Sequence, residues 1–203
     1  MRGRIPIFLA TLVAAGLTPA AVAAAGTGTQ GTGTQGTGTQ GTGTQSAASW
    51  QPEPASYGVS KPVDVSVRMD DGVMISAEVV YPTDPATGAR AAGRFPVLLT
   101  QNPYGGDPTA SGDYFVERGY IYVASAVRGT GTSGGQVSWF GQRQGQDGAE
   151  LVNWAAHSLS GSDGKVGLDG CSYLGVDQWY TAAAVGRDSA LKAITPFCTD
   201  SNL

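Results

Sequence analysis

The chain has 203 residues, 31 of them glycine, and only 14% are charged. From residue 46 onward it holds 10 basic and 16 acidic side chains, because Arg2 and Arg4 precede that point. An acidic balance with no basic face excludes a nucleic-acid binder. Two cysteines are too few for a disulfide scaffold and have no metal-ligand spacing. The segment from residue 46 is long enough for one good core but not for two full domains.

Residues 1–25 read as a secretory signal peptide. Arg2 and Arg4 make the positive end, 5–17 a short apolar run, and Ala21-Val22-Ala23 or Ala23-Ala24-Ala25 the small residues a peptidase needs. The run is too short to span a membrane stably, and no later run reaches the necessary length. The chain is therefore expected to be exported and soluble. Residues 26–60 read as low-complexity sequence and linker. Gly-Thr-Gly-Thr-Gln occurs four times from Gly26 to Gln45 and offers no side chain for a core, so it reads as a flexible tether or a wall- or polysaccharide-contacting stalk. Residues 61–203 read as the folded domain.

In that domain, apolar and polar residues alternate over 63–69, as in a half-buried strand. Asp70-Asp71-Gly72 signals a hairpin turn, and 74–81 is the returning strand, stopped by Pro82. The polar, Gly/Pro-punctuated stretch 83–93 is loop. Residues 95–100 form a continuous apolar run, typical of a strand covered on both faces. A short helix is expected over 111–118, ending at Gly119, then a strand over 120–124 and a Gly-rich loop over 127–135. Leu151, Val152, Trp154 and Ala155 recur at helical spacing within 146–156. A strand at 165–168, a helix at 173–185 and a strand at 191–195 follow. A hairpin followed by strand–helix repeats predicts an α/β fold: a mostly parallel sheet with an N-terminal antiparallel hairpin and helices on both faces. Sites in such sheets lie beyond the carboxyl ends of the strands.

One strand end stands out. Gly170-Cys171-Ser172-Tyr173-Leu174-Gly175 joins a strand to a helix, the setting of a nucleophile elbow. The helix N-terminus places partial positive charge where an oxyanion would form. The usual second glycine, two residues after the serine, is Leu174 here, and Gly175 follows it. The bland alternative is that Ser172 caps the helix. Arg128, in the Gly-rich loop, either binds an anion or makes a structural salt bridge. Cys171 and Cys198 end neighbouring strands, as a disulfide or as two buried free thiols.

Taken together, the segments resemble the X-Pro dipeptidyl-peptidase and cocaine-esterase-like family of α/β hydrolases. Met69-Asp70-Asp71-Gly72-Val73 resembles that family's opening hairpin. Residues 96–104, ending in Asn102-Pro103-Tyr104, resemble its strand and following Pro-Tyr. Arg118-Gly119-Tyr120, the loop 127–135, Asp147-Gly148 with Trp154, and Gly164-Lys165-Val166-Gly167 follow in the family's order. The family's elbow is Ser-Tyr-x-Gly, which accounts for the shifted glycine. The resemblance covers about residues 63–203. It implies that Ser172 is the acylated nucleophile, that the Tyr173 backbone N–H is one oxyanion donor, and that the Tyr104 hydroxyl is the other. Without the resemblance, Tyr104 reads as a packed core aromatic. There are two departures: Ala126 stands where the family usually has Asp, and Glu150 stands where its second acid is Asp.

A serine needs a base. The chain has a single histidine, His157, which precedes the serine and falls at the end of a helix, whereas α/β hydrolases run serine, acid, histidine. It reads as a surface histidine. Asp177, Asp188 and Asp200 follow the serine without a convincing position for the acid. The resemblance further implies a helical cap, strands bearing the acid and histidine, and a β-sandwich after the last strand seen here. The chain therefore reads as the N-terminal portion of a secreted serine hydrolase, truncated after the strand that follows the elbow and inactive or nearly so alone. The substrate is expected to be a small-molecule ester or a proline-containing peptide, with no metal or organic cofactor implied. The rival reading is a non-catalytic secreted binding or cell-surface module that keeps the hydrolase sheet.

Overall fold

A computed structural model of the chain describes residues 51–105, 112–187 and 189–199. The expected signal peptide and Gly-Thr-Gly-Thr-Gln repeat, together with Ser111, Asp188 and Asp200, lie outside these. The described elements are β1 (Gly58–Val59), β2 (Val63–Arg68), β3 (Met74–Val80), β4 (Pro82–Thr83), β5 (Phe95–Asn102), α1 (Asp113–Val116), β6 (Ile121–Ala126), α2 (Gln142–His157), β7 (Ser162–Cys171), α3 (Tyr173–Val185) and β8 (Leu191–Phe197). Six strands form one sheet in the order β2-β3-β6-β5-β7-β8. The pairs β2–β3 and β3–β6 are antiparallel, and β6, β5, β7 and β8 run parallel.

The sheet is covered on both faces because successive strand side chains point opposite ways. On β5 and β6, Val97, Leu99, Ile121 and Val123 face one core with Leu151, Val152, Ala155 and Ala156 of α2. Leu98, Tyr122 and Ala124 face the other, under Val116 of α1. This is the alternation that makes β5 and β6 read as unbroken apolar runs in sequence.

Several boundaries differ from the periodicity. Helix α2 starts at Gln142 rather than 146, because its first turn is buried through polar contacts and not through apolar spacing. Gln144 and Asp147 are both 4% exposed, and both are hydrogen-bonded. Strand β7 is longer than 165–168 at both ends. Glycines at 164, 167 and 170 interrupt its apolar pattern, while its backbone pairs with β5 and β8. Upstream of 61, Gly58–Val59 pairs with Pro82–Thr83, and the Tyr57 ring packs edge-on to Phe95 at 5.3 Å. The segment just before residue 61 therefore belongs to the folded domain rather than to the linker. Pro82 tolerates this pairing because β1 and β4 form their own small sheet, where a missing N–H costs little.

Glycines set the distance between α2 and α3. A Cβ at Gly145 would stand 2.6 Å from the Tyr180 carbonyl oxygen, and one at Gly148 would collide with Thr181. The Thr181 hydroxyl also accepts a 3.0 Å bond from Gln101 of β5. Helix α3 is thereby drawn down over the sheet, with Ser172 alone between its first residue and the end of β7.

Candidate active site

Ser172 occupies a strained turn between β7 and α3, at φ 58° and ψ −124°. A residue with a Cβ rarely adopts this conformation, and such strain concentrates at functional positions. The chain is held there from both sides. The Ser172 N–H donates to the Phe197 carbonyl at 3.1 Å, and the Ser172 carbonyl accepts from Gly175 N–H at 2.9 Å and Val176 N–H at 3.0 Å. Two glycines make room for the turn. A Cβ at Gly170 would collide with Leu174, and one at Gly175 would lie 3.0 Å from the Gly170 carbonyl oxygen and 3.1 Å from that of Phe197. The glycine is needed three residues after the serine because that is where the helix meets these two carbonyls.

The Ser172 side chain makes no capping hydrogen bond to the helix. It is exposed, and its Oγ stands 3.3 Å from the Tyr104 hydroxyl. Tyr104 lies in the turn after β5, where its N–H donates to Asn102 Oδ1 at 2.8 Å. It is 66% exposed, so it is not a packed core aromatic. Tyr173 is buried, with its ring 6.4 Å from that of Tyr104. As the first helical residue, its N–H has no acceptor within the helix. The structure thus brings the Ser172 hydroxyl, the Tyr104 hydroxyl and the start of α3 to one point beyond the parallel strands.

Periodicity did not single out Trp139 and Phe140. Their rings lie 5.2 Å and 5.0 Å from that of Tyr173, yet they are 54% and 45% exposed. Phe140 also holds a left-handed φ of 54°. A Trp-Phe pair between a Gly-rich loop and a polar helix start was the available signal, since large exposed aromatics beside a strand end are candidates for ligand contact.

Other singled-out residues lie apart. His157 is exposed, is the last residue of α2, and shares the lining of a surface cleft with Arg94 and Ser162. Ser162 opens β7 and Ser172 follows its other end, so about 30 Å of strand separates the two regions. Asp177 is fully buried on α3 and accepts a 2.5 Å bond from Gln144 Nε2. Its second carboxylate oxygen, Oδ2, has no hydrogen-bond partner. Burial pushes its pKa up to about 8, against the Gln144 hydrogen bond, which favours the charged form.

Arg128 is a structural ion-pair residue. It makes a two-pronged contact with Asp147, Nε to Oδ2 at 2.7 Å and Nη2 to Oδ1 at 2.6 Å, and a further pair with Asp71 at 2.9 Å. Arg143 joins Asp70, Asp147 and Glu150 at 2.7, 2.7 and 3.1 Å. Glu150 also accepts from the Asp70 N–H at 2.7 Å, so the longer acid is accommodated. The Arg128 hydrogen bond is the main cause holding the Asp71 carboxyl below the usual range. The network ties the 70–72 turn and the Gly-rich loop to α2.

The sequence pattern of the X-Pro dipeptidyl-peptidase (S15) family matches residues 71–203. The chain belongs to this family. It is 34% identical over 147 residues to the cocaine esterase of Rhodococcus sp. (strain MB1 Bresler), covering 69% of this chain and 24% of that protein. Among solved structures, a CocE/NonD family hydrolase from Staphylococcus aureus superposes with a TM-score of 0.56 at 28% identity, over 66% of this chain and 26% of the other. An α-amino acid ester hydrolase gives a TM-score of 0.56 at 26% identity, over 76% and 28%. The chain therefore has the α/β-hydrolase fold of a hydrolase family and spans about a quarter of the curated relative it matches. Among the described residues, no helix is long and apolar enough to cross a membrane.

Proposed function

We propose that this S15-family chain carries the nucleophile and oxyanion side of a serine hydrolase. Ser172 Oγ attacks the carbonyl carbon of an ester or an Xaa-Pro amide, and the product is an acyl-Ser172 that water later hydrolyses. The Tyr173 N–H and the Tyr104 hydroxyl hold the oxygen that becomes negative, each donor being worth a few kcal/mol of the barrier. The exposed rings of Trp139 and Phe140 offer an apolar surface to a small acyl or leaving group. Residues 1–25 direct export of the chain. The observation that carries this reading is the strained, uncapped Ser172, whose Oγ lies 3.3 Å from the Tyr104 hydroxyl.

The Ser172 proton needs an acceptor. The single histidine of the sequence is His157, at the far end of β7, so no histidine of this chain serves. Acylation by the chain alone is slow, and a small diffusible base replaces the missing one. The same observation favours the second reading, a non-catalytic secreted binding or cell-surface module. One experiment decides between them: labelling of the purified chain by a fluorophosphonate at increasing imidazole, beside Ser172→Ala, read by intact mass. Labelling that rises with imidazole and is lost in the variant is the expected result. Equal labelling of both proteins, or none of the folded wild type at any imidazole concentration, favours the non-catalytic module.

A further inference from the structure

The elbow is flanked by a second reactive pair that the hydrolase chemistry does not use. Cys171 immediately precedes Ser172, and Cys198 immediately follows Phe197, whose carbonyl holds the Ser172 N–H. Both are free thiols, Cys171 half-buried and Cys198 exposed. Strands β7 and β8 are parallel, with Cys171 opposite Phe197. A strand spacing of about 4.8 Å and a rise of about 3.3 Å put the Cys198 Cα about 6 Å from that of Cys171. That is inside the range of about 4.4–6.8 Å that a disulfide spans.

In a regular strand, Cys198 would point away from the face that Cys171 shares with its partner Phe197. Its backbone is not regular: φ is 54°, in the left-handed region. Relative to the parallel-strand value of about −120°, this is a turn of roughly 170° about the N–Cα bond, which carries Cβ to the opposite side. The two side chains consequently lie on the same side of the strand ends. Their mutual hydrogen bond is the main cause raising the Cys171 thiol above its ordinary pKa. An outlying backbone angle and the strand register both bring the same two side chains together.

We propose that Cys171 and Cys198 form a thiol–disulfide pair that closes a covalent clip between β7 and β8 at the nucleophile elbow, by exchange with a small-molecule disulfide. Cys198, the exposed partner, attacks as thiolate one sulfur of the incoming disulfide, breaking its S–S bond and releasing one small thiol. Cys171 then gives its proton to solvent and attacks the Cys198 sulfur, forming the internal bond and expelling the second small thiol. Two protein thiols are oxidised and one small disulfide is reduced to two thiols. The clip encloses α3 and fixes both strand ends that position Ser172. It does not depend on Ser172 being a nucleophile.

The test is incubation of the full chain with oxidised glutathione, followed by alkylation of remaining thiols, intact mass and peptide mapping. The expected wild-type product has lost both alkylatable thiols and two hydrogens of mass. It carries no glutathione, yields a peptide linking 171 to 198, and returns to the dithiol with dithiothreitol. In folded Cys171→Ala, glutathione stays on Cys198, because nothing resolves it. Persistence of both thiols, stable glutathione on the wild type, or links only between chains would overturn the proposal. The wild-type result stands whether or not the variant folds.

Discussion

The Tyr104 hydroxyl stands 3.3 Å from Ser172 Oγ although 68 positions separate the two residues. One follows β5 and the other follows β7, adjacent parallel strands, so the sheet itself brings them together. Tyr104 is exposed, so removing its hydroxyl touches little packing. Tyr104→Phe is expected to slow imidazole-assisted fluorophosphonate labelling of Ser172 by about 10–100-fold, somewhat less than a full oxyanion donor is worth in turnover. Its thermal melting should be unchanged. Lowered melting with unchanged labelling would instead make Tyr104 a packing residue.

Gly175→Ala tests why the elbow's glycine lies three residues after the serine. The added methyl would meet the carbonyl oxygens of Gly170 and Phe197 at 3.0 and 3.1 Å. Both are backbone atoms that cannot swing away, so helix α3 must lift from the sheet. The expected loss is about 1–3 kcal/mol in urea unfolding, accompanied by slower labelling because Ser172 moves with the helix. A substitution without cost would mean that the close approach is not required.

The sheet was legible in the sequence because its strands carry their signal in apolar side chains, as β5 and β6 do on both faces. The elbow was legible for a different reason, a serine between glycines at the junction of a strand and a helix. What stayed hidden was held by polar burial or by backbone. The first turn of α2 is anchored through Gln144 and Asp147, which no apolar period records. The pairing of Gly58–Val59 with Pro82–Thr83 is a backbone contact between segments that read as loop. The packing of Trp139 and Phe140 against Tyr173 accompanies a left-handed φ at 140, and a phenylalanine gives no hint of that angle. Tyr104 is readable as a site residue only through family resemblance, because one exposed tyrosine has no period.

The Arg128–Asp147 pair is buried on both sides, with side chains 9% and 6% exposed. Asp147→Ala leaves the guanidinium with Asp71 alone and is expected to cost about 3–5 kcal/mol, the usual penalty for orphaning a buried charge. Lys165 and Asp163 make a pair of similar length, 2.8 Å, but the lysine side chain is 63% exposed. Lys165→Ala should cost less than about 1 kcal/mol. Urea midpoints of the two variants compare them directly, and equal losses would show that the 70–72 turn and α2 do not rely on the network.

Asp177 gives the stability a pH dependence of defined sign. Its pKa is about 8 in the folded chain against an ordinary value of 3.8, chiefly because burial disfavours the carboxylate. Between those values the folded chain keeps a proton that the unfolded chain has released. The unfolded state therefore binds fewer protons, and the Asp177 contribution falls as pH rises from about 4 to about 8, then levels off. Asp70 and Asp71, whose pKa values are lowered mainly by hydrogen bonds from Arg143 and Arg128, act oppositely and only in the acid range. Asp177→Asn keeps an oxygen for Gln144 and removes the titration. Its stability relative to wild type should grow by several kcal/mol at most from about pH 5 to about pH 8 and stay constant above that. A difference that does not change with pH would mean that the folded chain holds Asp177 ionised.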